Sequence, residues 1–389
     1  SNGDLLRLVY GAGRSRRLGY AASYCSGRIH VPCRGKCRKK SGLAMPSYEL
    51  IVAAVLVGAL TLYLLLGGAD FGAGIWTLFA MSRKGQPQRA LIDQAIGPIW
   101  EANHVWLIIA VVILFTAFPP AFAVISVRLH IPLTVMLIGI VLRGTAFAIR
   151  THDISSRSDG FTGAPPIWHW IFAWSSLITP TMLGIVLGAI ASGRAAGPAN
   201  SIRETFVDPW LAPFPIAVGL LTTALVAYLA SVYLIMESQE PSLRRLFRHR
   251  AMISGALVIV LAAIALFLTG EGAPEIHQGL ATTALGRATV VGTTLVHLAA
   301  LWAVITERNV MARLLAGGGA VAILWGWALS QYPYLVEPSV TIYDAAPRAT
   351  LDVLLTSLLL GSVLLLPFRV YLYTLFKGDV LTGPAQFKS

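Results

Sequence analysis

Nine long apolar stretches constrain this chain more than any other feature. They run approximately Glu49–Trp76, Ile96–Phe118, Val124–Ile149, Ile167–Ala191, Pro213–Met236, Ala251–Thr269, Ala288–Ile305, Leu314–Leu329 and Leu351–Phe376. Each is near the ~20 residues that cross the hydrocarbon core as a helix, and the eighth is the shortest. In lipid every backbone N–H and C=O must be satisfied within the protein, which leaves helices and closed barrels. Barrel strands alternate apolar and polar residues, and these runs do not. The chain therefore reads as an all-α polytopic membrane protein of about nine transmembrane helices.

Composition agrees. Hydrophobic residues make up 56% and charged residues 12%, whereas a soluble domain is about one quarter charged. The formal net charge of +12 does not mark a nucleic-acid partner, because most of it sits in residues 1–44. That segment holds ten Lys/Arg against the single acid Asp4, and also all three cysteines, Cys25, Cys33 and Cys37. It has no apolar run of the kind a signal peptide needs. With His30 the cysteines number four potential ligands, but their spacing is not a standard zinc pattern. The expectation is a basic N-terminal extension outside the native folded protein, with translation starting at Met45 and residues 45–389 forming the membrane domain.

Loop charge orients the spans. Arg83, Lys84 and Arg89 follow span one, and Arg150 and Arg157 follow span three. Arg244, Arg245, Arg248 and Arg250 follow span five, Arg308 and Arg313 follow span seven, and Arg369, Lys377 and Lys388 lie at or after the last. The alternate loops carry Glu204, Asp208, Glu271, Glu275, Glu337 and Asp344. Basic loops stay in the cytoplasm, so the membrane body starts outside and the C-terminus is cytoplasmic. Gly68 with Gly72, and Gly184 with Gly188, are small-xxx-small pairs that let helix backbones approach.

A charge inside a span needs a partner, water or a function. Asp70 lies two-thirds of the way along span one, and Glu101 in the first turns of span two, in Trp100-Glu101-Ala102-Asn103-His104-Val105-Trp106. Arg143, near the end of span three, is placed to counter either acid; taken alone it reads as a snorkelling anchor. Two acids with Asn103 and His104 suit a water-filled proton relay from the cytoplasm. The same residues equally suit a buried acid–Arg lock joining three helices. His104 and His297 are embedded, and His130 and His169 lie near span ends; a lone His on an apolar face is more often a hydrogen-bonded core residue than a haem ligand. The sequence has no P-loop, dinucleotide-binding turn or HExxH motif.

These motifs resemble a known family: subunit II of cytochrome bd-type ubiquinol oxidases, in particular its cyanide-insensitive branch. The resemblance covers Met45 to about Lys377. It rests on Gly-Ala-Asp-Phe-Gly-Ala-Gly at 68–74, on Ile99 through Leu107, on Leu142-Arg143-Gly144-Thr145-Ala146-Phe147, and on Tyr332-Pro333-Tyr334-Leu335-Val336-x-Pro338. It implies two helical bundles plus a peripheral helix, and a subunit without haem ligands of its own, paired in the bacterial cytoplasmic membrane with a subunit I that carries haems b and d. It further implies quinol oxidation coupled to dioxygen reduction, with protons taken from the cytoplasm along a route involving Asp70 and Glu101. Some members hold a structural quinone in this subunit, and some complexes add a small single-helix third subunit. Asn103 and His104 are expected beside the proton route, and Arg143, Trp100 and Trp106 as structural or charge partners. A secondary transporter or ion channel, with embedded acids in two helical halves, is the competing class; a b-type haem carrier, which needs paired axial ligands, is a third.

Overall fold

The computed structural model describes residues 47–97, 100–156 and 167–382. The basic segment 1–44 with its cysteines and His30, and also Ile99, Arg157 and Lys388, lie outside the described residues.

Nine helices among the described residues are long and apolar enough to cross a bilayer. The first, α1 (Tyr48–Ala80), contains one π-helical turn, Tyr63–Gly67, which ends on the first glycine of the Gly67-Gly68 pair. A short amphipathic helix, α2 (Gln86–Ile96), follows and leads into α3 (Trp100–Ala117). Next come α4 (Pro119–Arg128), α5 (His130–Ser156) and α6 (Ile167–Ala191). A five-residue helix, α7 (Ile202–Phe206), precedes α8 (Pro213–Glu237) and α9 (Pro241–Gly272). The chain closes with α10 (Pro274–His277), α11 (Ala284–Ile305), α12 (Asn309–Gln331), a two-stranded hairpin, and α13 (Arg348–Thr382).

The spans fall into two groups. Helices α1, α3, α5 and α6 pack together, as do α8, α9, α11 and α12, and the groups join where α8 meets α6 and α1. Among the described residues, helix α13 packs mainly on α1 and α3 at the edge of the first group, and is the peripheral helix. Small residues make α8 the shared centre: Ala217, Gly219, Ala224, Ala227, Ala230 and Ser231 are all buried. Both small-xxx-small motifs pack against it. A methyl at Gly72 would run into the Val226 carbonyl, one at Gly184 would lie 2.7 Å from the Val218 carbonyl oxygen, and one at Gly188 would lie 2.7 Å from Pro215 Cα. Without a hydrophobic force between helices in lipid, such close backbone approach supplies the packing.

Several boundaries differ from the sequence reading. Ile96 closes α2 rather than opening the second span, which starts at Trp100. The third starts at His130 rather than Val124, because Pro132 has no N–H to return to the Arg128 carbonyl and the helix is broken at Leu129. The eighth span is longer than expected, extending over Asn309–Gln331. The Tyr-Pro-Tyr-Leu-Val segment forms a small sheet, β1 (Tyr334–Val336) antiparallel to β2 (Val340–Thr341), with Tyr334 opposite Thr341 and Val336 opposite Val340. Asp344 fastens the turn after it, accepting from Thr341 N at 2.7 Å and Oγ1 at 2.9 Å. Val336, Val340 and Ile342 are buried with the ends of α3 and α6, so this hairpin covers one end of the first helix group.

Candidate functional site

The polar centre of the first helix group is built on the turn after the π-helical segment of α1. Asp70 is 6% exposed there, and the Asn103 side chain, fully buried on α3, donates to its Oδ2 at 2.5 Å. The same amide points at the Leu66 carbonyl, 3.4 Å away. A π turn widens a helix by one residue and recurs where function needs a re-aimed side chain; here Tyr63, within that turn, and Phe71, one residue past Asp70, both lie against the His104 ring, at centroid distances of 5.9 and 5.8 Å. Trp100 approaches His104 from a third side at 6.4 Å and leans on Phe147 at 5.4 Å. Trp106 is half-buried against the same core.

Arg143 does not snorkel. It is 1% exposed, because α5 carries it into the group between α1 and α6. Its Nε donates to Ser176 Oγ at 3.2 Å, and its guanidinium carbon lies 4.7 Å from the Phe71 ring centre and 5.2 Å from that of Phe172. Asp70 and the Tyr63 hydroxyl are within its electrostatic reach. A planar cation stacked on aromatic faces and facing a carboxylate suits guanidinium far better than ammonium.

Glu101 is not part of this centre. Asn103 points inward, and a residue two positions away on an α-helix lies about 200° round the axis. Glu101 is accordingly exposed, on the face of α3 that also presents Ile108, Val112 and Phe115. The structure thus brings Asp70, Asn103, His104, Trp100 and Arg143 together and sets Glu101 outside them.

The loop reading missed a buried ion pair. Arg150 counts in the sequence as a charge following span three, yet it is 1% exposed and donates to both oxygens of Asp93, at 2.6 and 2.9 Å. Its guanidinium carbon is 4.4 Å from the Phe172 ring, so Arg143 and Arg150 flank one aromatic. Arg250 is similar: assigned to a loop, it lies within α9, buried over Trp76, and donates to Gln88 of α2 at 3.2 Å. The available signal was the amphipathic spacing of Ile92 and Ile96, which turns α2 toward the core with Asp93 beside them.

A separate apolar cavity of about 360 Å3 lies between the two helix groups, and Tyr63 and Phe71 form part of its wall. His297 borders it, with Nδ1 on the Thr293 carbonyl at 3.0 Å. Among the described residues, no group of three or more His, Cys, Asp or Glu is arranged to hold a metal ion.

A family model described as cytochrome bd terminal oxidase subunit II matches residues 48–376. The cytochrome bd ubiquinol oxidase subunit 2 of Bacillus subtilis is 27% identical over 216 residues, which is 56% of this chain and 60% of that protein. The cytochrome bd-I ubiquinol oxidase subunit 2 of Escherichia coli K12 is 25% identical over 220 residues, 56% of this chain and 54% of that protein. The match thus spans little more than half the length of either relative. In fold, the chain is similar to the bd oxidase structure from Geobacillus thermodenitrificans, with a TM-score of 0.67 at 23% identity, covering 85% of this chain and 98% of that one.

Proposed function

Because this chain belongs to the cytochrome bd terminal oxidase subunit II family, we propose that it is the haem-free subunit of a quinol:dioxygen oxidoreductase. It is a multi-pass membrane protein. Its partner in this reading is subunit I, in a bacterial cytoplasmic membrane, with the start of the membrane body outside and the C-terminus in the cytoplasm. The haems b and d, carried by subunit I, supply the electron transfer to dioxygen. The contribution of this chain is to take up and hold protons on the cytoplasmic side.

The observation that carries the proposal is the division of the two intramembrane acids. Asp70 is buried with Asn103 at 2.5 Å and Arg143 within electrostatic reach, while Glu101 stands on the outer face of α3. A carboxylate on a lipid-facing surface within a span is costly. The apolar face of Ile108, Val112 and Phe115 is therefore the surface we assign to subunit I, with Glu101 handing protons across it. Asp70, Asn103 and His104 form the inner part of the proton route, and Arg143 supplies the fixed counter-charge.

The haem-free assignment is supported by how the embedded imidazoles are packed. His104 is enclosed by Tyr63, Phe71 and Trp100, and the His297 ring lies against Gly319 with Tyr228 beside it. The apolar cavity between the helix groups is where a structural quinone would fit in this reading. Reduced-minus-oxidised spectra test the proposal directly. The isolated chain should show no haem bands, and the complex with subunit I should show b and d bands with quinol-dependent oxygen uptake. A stoichiometric b-type signal in the isolated chain that disappears in His104→Ala or His297→Ala would overturn it.

A further inference from the structure

A second pocket, of about 480 Å3, lies far along the chain from the acids of α1 and α3, where the loop after α6, the α7 segment, the start of α10 and the turn of the β hairpin meet. Four carboxyl groups line it, Glu204, Asp208, Glu275 and Glu337, against one guanidinium, that of the exposed Arg194. Two of the four are engaged already: Glu204 accepts from Asn200 N at 2.8 Å, and Asp208 from Arg203 Nε at 3.1 Å.

Glu337 is different. It is 2% exposed, borders the pocket, and its Oε1 has no hydrogen-bond partner. A buried acceptor left without a donor is destabilising unless a ligand supplies one. Its neighbour Glu275 is exposed and adds negative charge. The remaining wall is largely pyrrolidine: Pro198, Pro209, Pro274 and Pro338. A carboxyl floor with apolar ring walls is the complement of an alkyl chain bearing ammonium groups. No described group of three or more acids or histidines is arranged for a metal ion, so separated ammonium groups suit these carboxylates better than one coordinated cation.

We propose that this pocket binds a small organic polycation, an alkyl chain with two or more ammonium groups. One ammonium donates to Glu337 and Glu275, and the methylenes lie along the proline rings. The groups facing Glu337 are Glu275 on α10, Glu204 and Asp208 at α7, and Arg194 after α6. Burial, and then the charge of Glu275, push the Glu337 carboxyl up to about 7. Binding of a cation that needs the ionised form therefore strengthens as pH rises through that value, by up to about tenfold per unit for a single linked proton.

The test is calorimetric titration of the purified two-subunit complex with spermidine, in an amine-free buffer at about pH 8 and about pH 6. One saturable site is expected, tighter at the higher pH. Glu337→Gln and Glu275→Gln should each weaken it at least about tenfold, with quinol-dependent oxygen uptake unchanged. The exposed position of Glu275 keeps its variant informative if Glu337→Gln fails to assemble. Absence of a saturable site, loss of all binding at physiological salt, or parental affinity in both variants would overturn the proposal. Calcium binding more tightly than spermidine at the same residues would overturn it in favour of a metal site. The oxygen-uptake control keeps this outcome separate from the oxidase reading.

Discussion

Asn103 and Asp70, on different helices and 33 residues apart, meet at 2.5 Å with both side chains buried, while Glu101, two residues before Asn103, faces out. One helix turn thus sends an amide to the inner acid and a carboxylate to the outer surface. Two intramembrane acids are left with different physical situations.

That difference predicts different phenotypes. Glu101→Gln keeps shape and hydrogen bonding but cannot carry a proton, and it leaves no buried charge unpaired. Turnover per haem in the purified complex should fall by about a hundredfold or more, the range in which a lost acid–base group acts, with haem content normal. Asp70→Asn leaves Arg143 facing a neutral amide in a buried site. Removing one member of such a pair costs about 3–5 kcal/mol, so assembly and haem content should fall together with turnover. Full oxygen uptake per haem in Glu101→Gln would remove Glu101 from the proton route, and normal assembly of Asp70→Asn would remove the lock.

The contact of α1 with α8 gives a packing prediction. A side chain at Gly72 has nowhere to go but the Val226 backbone, beside Ala230. Gly72→Val should prevent stable assembly, whereas Gly58→Ala, where an added methyl meets nothing, should be silent. Yield of intact complex after detergent extraction distinguishes them. An intact Gly72→Val complex would show that α1 can draw back from α8, against the dense packing of protein interiors.

Number, order and approximate extent of the spans were legible because a bilayer demands long apolar runs whatever the fold within it. The glycine pairs were legible for the same reason: close approach needs small residues at fixed spacing. Which way a polar residue points was not. A helix that is apolar all round has no periodic stripe to mark its inner face, so nothing in Trp100–Trp106 told Glu101 from Asn103. Arg150 was misread because charge near a span end usually reaches for water; its burial came from Phe172 and Asp93, which are distant in sequence. The hairpin was hidden in a proline-rich loop whose strands are two and three residues long.

The Asp93–Arg150 pair should behave as a buried ion pair. Asp93→Ala strands a guanidinium that is 1% exposed, at a cost of about 3–5 kcal/mol. Replacing both partners, Asp93→Leu with Arg150→Met, removes the stranded charge and should recover most of the loss, since apolar substitutes for a buried pair are often neutral or better. Unfolding of such a complex in detergent is irreversible, so the quantity to follow is its half-life at elevated temperature. A double variant as short-lived as Asp93→Ala would mean that the pair contributes hydrogen bonds to this site beyond charge neutralisation.

Glu337 predicts the pH dependence of stability. Its carboxyl is pushed up from an ordinary 4.5 to about 7 by burial and then by Glu275, so the folded state holds this proton more tightly than the unfolded chain does. The linkage sign follows: the contribution is fully present below about pH 4.5 and is lost as pH rises to about 7. Glu337→Gln keeps the neutral shape at every pH and should abolish that loss. In amine-free buffer, parent and variant should denature at nearly the same temperature at about pH 4, and the variant should be more stable by several degrees at about pH 8. The difference between the two curves cancels the other titrating groups, which both proteins share. A constant offset between them across this range, or a variant less stable at the higher pH, would mean that Glu337 is ionised throughout and satisfied by a donor of the protein itself.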